Sequence, residues 1–215
     1  ARWLAPPGGW AGGATGADDQ EFSLASLRED VGAVISHRTL RLLVVVGTMY
    51  LFVVHGMQGW LAAILEGRGV AVEVAALVTS LLVVARIVGT VGIPPLSDRL
   101  GERRGMVALC GALAAVGPLG LLVTGSTVWA TVALVAAVGV GIGGLSPLIR
   151  AMPIELDGIG PRLTATATGL IFTIGEVGGF LGPFLIGALE DATGSFAPGL
   201  AIVGVAGVVV IGAGW

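Results

Sequence analysis

From Met106 to Ile149 the chain runs for 44 residues without a single Asp, Glu, Lys or Arg. A helix crosses the apolar core of a bilayer in about 20 residues, so this run is too long for one crossing and fits two crossings joined by a turn. The remainder is similar in kind: 55% of the 215 residues are hydrophobic, 37 are glycine and only 12% are charged, against about 25% in a soluble domain. An ordinary cytosolic enzyme is excluded. The single cysteine, Cys110, permits no disulfide within the chain, and no Cys/His cluster at ligand spacing suggests a metal. A dispersed net charge of −3 gives no footprint for nucleic acid.

Counting apolar stretches between charged or turn-rich breaks predicts six membrane helices, at about 41–65, 72–93, 105–123, 127–149, 166–188 and 197–214. A membrane barrel would instead show period-2 alternation in segments of about 10 residues. The expected fold is an all-α membrane protein. The first span lies too far from the start, and is too long, for a signal peptide, and a chain that begins with Ala instead of Met reads as a fragment.

All eleven basic residues are arginine. Arg28, Arg38, Arg41, Arg99, Arg103, Arg104, Arg150 and Arg162 fall on one side of the predicted spans, and Arg68 alone falls on the other. By the positive-inside rule both ends of the chain are expected in the cytoplasm, with the spans in the plasma or inner membrane.

Residues 1–40 differ from the rest. Pro6-Pro7, scattered glycines and Asp18-Asp19 read as a flexible linker over 1–22. After it, Ser26-x-x-Glu29 resembles a capping box, and Leu24, Leu27, Val31, Val34 and Ile35 share one helical face. Such a helix either lies on the inner membrane surface or packs on the protein's own loops; pattern alone favours neither. The expected division is a linker over 1–40 and a six-helix bundle over 41–215.

The loop after the second span reads Ser97-Asp98-Arg99-Leu100-Gly101-Glu102-Arg103-Arg104. Gly101 allows a tight turn, Asp98 can cap or pair locally, and the arginines suit an anionic leaflet. The segment resembles the D-R-x-G-x-R-R cytoplasmic motif of the major facilitator superfamily, with Asp98, Arg99, Gly101, Arg103 and Arg104 as the matching positions. Pro94 departs from the pattern, since that family usually has glycine there, and Pro94-Pro95 is expected to stiffen the helix end. Further on, Pro153-Ile154-Glu155-Leu156 and Pro161-Arg162-Leu163-Thr164 are followed by Gly178-Gly179-Phe180-Leu181-Gly182-Pro183-Phe184. This stretch is similar to the penultimate helix of the organic-anion and cyanate or nitrate-type branches. The resemblance implies the C-terminal half of a twelve-helix transporter, built as two inverted three-helix repeats, with its N-terminal half as a missing partner.

Glycines four apart, Gly139/Gly143, Gly175/Gly179 and Gly178/Gly182, offer side-chain-free faces for close helix approach. With Pro118, Pro147 and Pro183 they fit helices that rock between inward- and outward-open forms, and fit static packing equally well.

Three ionisable side chains lie inside the predicted spans: His55, Arg86 and Glu176. At 1.5 Å per residue each is roughly 16–21 Å from its flanking charges, near the midplane of a core about 30 Å thick. A charge there costs at least about 2.5–3.5 kcal/mol, so each should face a cavity or a partner. Arg86 is permanently charged and planar, suited to holding a carboxylate or small oxyanion through two hydrogen bonds; a structural pair with Glu176 is the alternative. In the resemblance Arg86 falls in the eighth helix, where several anion carriers have an arginine, and Glu176 replaces what is often a neutral amide. A carboxyl whose proton affinity responds to a competing substrate at Arg86 is a basis for proton coupling. His55 and Gln58 share a face of the first span and are candidate substrate contacts with Tyr50; Thr173 is a weaker addition.

The resulting expectation is a secondary transporter for a small organic or inorganic anion, coupled to protons and needing no cofactor. Multidrug efflux by proton antiport is the alternative, with Glu176 attracting a cationic substrate. An intramembrane enzyme is not expected, since no H-E-x-x-H, G-x-S-x-G or paired Asp motif falls in the spans. Membrane lipid and a small-molecule substrate are the expected partners.

Overall fold

A computed structural model of the chain describes residues 24–124, 127–156 and 159–214. Among these there are seven helices and no strand: α1 (Leu24–Ser36), α2 (Arg38–Glu66), α3 (Val72–Leu100), α4 (Arg103–Val123), α5 (Val128–Ala151), α6 (Pro161–Thr193) and α7 (Ala197–Gly214). Helices α2 to α7 are each long and apolar enough to cross a membrane. The linker expected over 1–22 lies outside the described residues.

Which helices pack together follows a repeat. Helix α2 lies along α6 and α3 lies along α5; α4 lies along α7, and α4 meets α5 as α7 meets α2. Exchanging α2 with α5, α3 with α6 and α4 with α7 maps this pattern onto itself. Because successive spans alternate in direction, α5 runs opposite to α2, so the two three-helix units are inverted copies. The central helices α2 and α5 each bury 61% of their most apolar window, whereas α3 buries 28% and α6 33%. The bundle therefore leaves long apolar faces of α3 and α6 uncovered, as Leu77, Val84, Ile87, Val91, Val177 and Phe180 illustrate.

Backbone-on-backbone contact fixes the two long crossings. A Cβ at Gly143 would fall on the carbonyl oxygen of Arg86, and one at Gly89 on that of Val140. In the other repeat, a Cβ at Gly178 would fall on the Thr48 carbonyl and one at Gly182 on the Phe52 carbonyl. At Gly175 it would meet Leu51 Cδ1 at 2.9 Å. Gly139 likewise accommodates Ala85 and the Leu82 carbonyl. Pro183 contributes differently: its carbonyl accepts a 2.9 Å hydrogen bond from Trp60 Nε1.

Several boundaries differ from the sequence expectation, among them the end of α6, which runs on to Thr193 instead of 188. Helix α3 does not stop at residue 93 but continues through Pro94 and Pro95 to Leu100. Buried Ile93 and Ser97, one turn apart, hold its register across the two missing N–H groups, and Gly101 then ends it at φ 65° with its N–H on the Ser97 carbonyl. Helix α6 begins at Pro161, not 166, because a proline suits the first helical position. In α1 the chain is already helical at Leu24, so Ser26 lies inside the helix and not at the head of a capping box. Helix α1 packs on α6 and α2. Val34 is buried, and Asp30 meets Arg162 at 2.7 Å.

The two ends of the bundle are tied by arginines. In the turn between α3 and α4, Arg103 lies 2.6 Å from Asp98 and 2.6 Å from Glu155 of the α5–α6 connection. At the opposite end Arg68, in the α2–α3 loop, donates to the carbonyls of Leu121 and Thr124 and so covers the C-terminus of α4. Burial lowers the Arg68 guanidinium from its ordinary value, yet an arginine stays charged there.

Candidate functional site

The ionisable residues inside the spans form two groups that meet α2 at positions five apart, Tyr50 and His55. In the first, Arg86 of α3 is half-buried and its Nη2 lies 3.4 Å from the hydroxyl of Tyr50, which is 2% exposed. The position of Arg86 is set by main chain, since the α5 backbone at Gly143 rests against the Arg86 carbonyl. Thr90, one turn on, places its hydroxyl 2.9 Å from the Arg86 carbonyl and 3.1 Å from that of Gly143, linking α3 to α5 beside the site. Among the described residues no carboxylate pairs with Arg86. The structural Arg86–Glu176 pair considered from sequence is not formed.

The second group is seated on a glycine. A Cβ at Gly179 would stand 2.8 Å from Glu176 Oε2 and 2.8 Å from His55 Nδ1. The imidazole of α2 and the carboxylate of α6 thus border the same space over Gly179, which side chains and not helix backbone fill, without forming an ion pair with each other. His55 is half-buried, and Glu176 is exposed on the face that α6 leaves uncovered. Gln58 and Thr173 are exposed on α2 and α6. The structure therefore brings Tyr50 to Arg86 and His55 to Glu176, and leaves Gln58 apart from both pairs.

Chemically the two groups differ. A guanidinium with one neutral partner keeps most of its five N–H donors for an anion. The second group places an imidazole and a carboxylate, two proton-carrying side chains, around one space. The arginine-rich turn adds a third element away from the midplane: Asp98, Gly101 and Arg103 take part in the turn and its ion pairs, while Arg99 is exposed and Arg104 lines a cavity at that end of the bundle. Two contributors were not among the sequence candidates. The hydroxyl of Thr90 was readable as a residue four after Arg86, and Glu155 as an acid in a basic region; no local signal joins Glu155 to Arg103 across 52 residues.

A family model described as the Major Facilitator Superfamily matches residues 1–183. A putative tartrate transporter of Agrobacterium vitis is 39% identical over 117 residues, 54% of this chain and 26% of that protein. The inner membrane transport protein RhmT of Escherichia coli strain K12 is 38% identical over 138 residues, 64% of this chain and 31% of that protein. A quinolone resistance transporter of Acinetobacter baumannii is 31% identical over 156 residues, 68% of this chain and 33% of that protein. The chain thus spans about a quarter to a third of these relatives. Among solved structures, the POT family transporter PepTSo superposes with a TM-score of 0.67 at 18% identity, over 83% of this chain and 37% of that one; this likeness is one of fold.

Proposed function

The chain belongs to the major facilitator superfamily, and on that footing we propose that it forms the C-terminal six-helix half of a secondary transporter that carries a small organic or inorganic anion with protons by alternating access. Membership makes it part of a membrane transporter and not an enzyme. The observation that carries the anion reading is the Arg86 guanidinium, near mid-span and bonded to the neutral hydroxyl of Tyr50. A cation whose charge no carboxylate among the described residues answers is suited to an anionic ligand. A relative named as a tartrate transporter supports the same class. His55 and Glu176 over Gly179 supply the proton site. Gln58 and Tyr50 line the path from α2.

The other wall of the path comes from six upstream helices of the same protein, with residues 1–40 as the linker between halves. Both ends of this chain face the cytoplasm and the bundle lies in the plasma or inner membrane. The turn holding Asp98, Arg99, Gly101, Arg103 and Arg104 acts as the conformational latch on that side.

The test is anion uptake into vesicles by the complete protein, with a panel of dicarboxylates and inorganic anions. Arg86→Gln removes charge-assisted hydrogen bonds worth about 1.5–3 kcal/mol each, so uptake falls by roughly 10- to 100-fold at normal expression, and Arg86→Lys keeps a part of it. Unchanged anion uptake in Arg86→Gln sinks the proposal. A second reading, proton-driven efflux of amphipathic drugs, is favoured by the exposed, unpaired Glu176 and by the quinolone resistance relative. Its signature is export of cationic compounds retained in Arg86→Gln and lost in Glu176→Gln.

A further inference from the structure

At the arginine-rich end, a cavity of about 140 Å³ opens between the first turns of α2 and α4 and the last turn of α7. Arg38 and Arg104 line it, one from each helix start, with Thr39 beside them. Its deeper wall is apolar: Leu43, Val46 and Val107 are each at most 3% exposed. Among the described residues no carboxylate lines it. Of the arginines at this end, Arg103 is neutralised by Asp98 and Glu155 and Arg162 by Asp30. Arg38 and Arg104 make no ion pair among the described residues.

The local field makes this imbalance larger. The starts of α2 and α4 carry neither an acidic residue in the first turn nor a side-chain cap, so their free N–H groups and positive dipole ends add to the two guanidinium charges. Acids are the residues that stabilise a helix start; at α2 an arginine stands there instead, while at α4 Glu102 precedes Arg103 and Arg104 with its carboxylate over the first turn near Gly105 but capping no N–H group. The cavity lies at the bundle's end and contains neither midplane group.

We propose that the cavity lined by Arg38, Arg104 and Thr39 is a binding site for a phosphate group. Two guanidinium forks and a hydroxyl match the several oxygens of a phosphoryl anion. The apolar wall suits a phosphate carried on a lipid headgroup, whose glycerol and first methylenes would lie against Leu43 and Val107; basic pockets between membrane helices recognise such headgroups. Free phosphate is the other source of the same chemistry. This site stands apart from the anion reading of Arg86, and its test does not depend on transport.

The complete protein, purified in detergent, is exposed to phosphatidylglycerol, to phosphatidylcholine and to inorganic phosphate, with retained lipid measured by native mass spectrometry and phosphate binding by equilibrium dialysis. Phosphatidylglycerol retained over phosphatidylcholine identifies a lipid headgroup, and phosphate binding without that preference identifies the free anion. In either case Arg38→Gln with Arg104→Gln lowers binding by about tenfold or more, while Arg99→Gln, a neighbouring exposed arginine outside the cavity, leaves it unchanged. The single variants each lose several-fold and serve where the double variant does not fold. Equal losses in Arg99→Gln, undiminished binding in the double variant, or no binding of either probe overturns the proposal.

Discussion

Arg103 grips the carboxylate of Glu155 with Nη2 at 2.6 Å and Nε at 3.0 Å, and the same Nη2 reaches Asp98 at 2.6 Å. Asp98 and Arg103 flank the α3–α4 turn of the first repeat, and Glu155 follows α5 of the second, so one guanidinium joins the two inverted units at a single end of the bundle. Glu155 is 43% exposed on its side chain, and an exposed ion pair is worth no more than about 1 kcal/mol. A contact of that strength fits the conformational latch proposed for this turn.

Breaking the latch should change conformation more than stability. In the complete transporter, Glu155→Gln is expected to lower the unfolding midpoint only slightly while raising cysteine accessibility at this end of the bundle and reducing uptake. The reversed pair, Arg103→Glu with Glu155→Arg, recovers part of the activity only if the contact itself matters; Asp98 would then be left facing a like charge, so full recovery is not expected. Equal uptake in the wild type and Glu155→Gln would show that the pair is ornamental.

Among the described residues the hydroxyl of Tyr50 is the one group bonded to the Arg86 guanidinium. Removing it in Tyr50→Phe forfeits a hydrogen bond worth about 0.5–1.5 kcal/mol, a loss of roughly 2- to 10-fold in substrate affinity with little change in expression. A competition assay across the anion panel reads this directly. A rise in affinity would mean that Tyr50 competes with the substrate for Arg86.

Much of this architecture was readable from hydropathy, because six apolar runs of sufficient length admit little else, and the depth of Arg86, His55 and Glu176 follows from the rise of a helix. Rotation about the helix axis did not follow. Depth placed Arg86 level with Glu176, yet packing turns Arg86 toward Tyr50 and Glu176 toward His55. Helix ends were less legible: the left-handed caps at Gly101 and Gly194 lie several residues beyond the ends expected at 93 and 188, and at Pro94-Pro95 buried neighbours outweigh the usual effect of proline. The Arg103–Glu155 contact depends on the closing of two repeats and leaves no trace in local sequence.

Glycines that look alike in sequence should respond differently to alanine. At Gly143 the new methyl would fall on the Arg86 carbonyl, a rigid main-chain atom, and overpacking of this kind costs about 1–3 kcal/mol or more. Gly143→Ala is therefore expected to express poorly and to unfold at lower temperature. At Gly212, where no neighbour lies within 4 Å, the same change is expected to be neutral or slightly stabilising, because alanine favours the helix. Thermal unfolding monitored by fluorescence separates the two, and equal behaviour would contradict the crossing of α3 and α5 described above.

Gly179 gives the most specific prediction, because what its missing side chain admits is the pair His55 and Glu176. Side chains can move where main chain cannot, so Gly179→Ala should fold and insert normally while pushing the imidazole and carboxylate apart. If those two groups form the proton site, the variant keeps exchange of labelled for unlabelled substrate, which needs no net proton movement, and loses accumulation driven by a pH gradient. Glu176→Gln, which cannot release a proton at all, should show the same split in a sharper form, and His55→Asn a milder one. Parallel loss of exchange and accumulation in all three would place His55 and Glu176 at the substrate instead, and accumulation intact in Glu176→Gln would remove the carboxylate from coupling altogether.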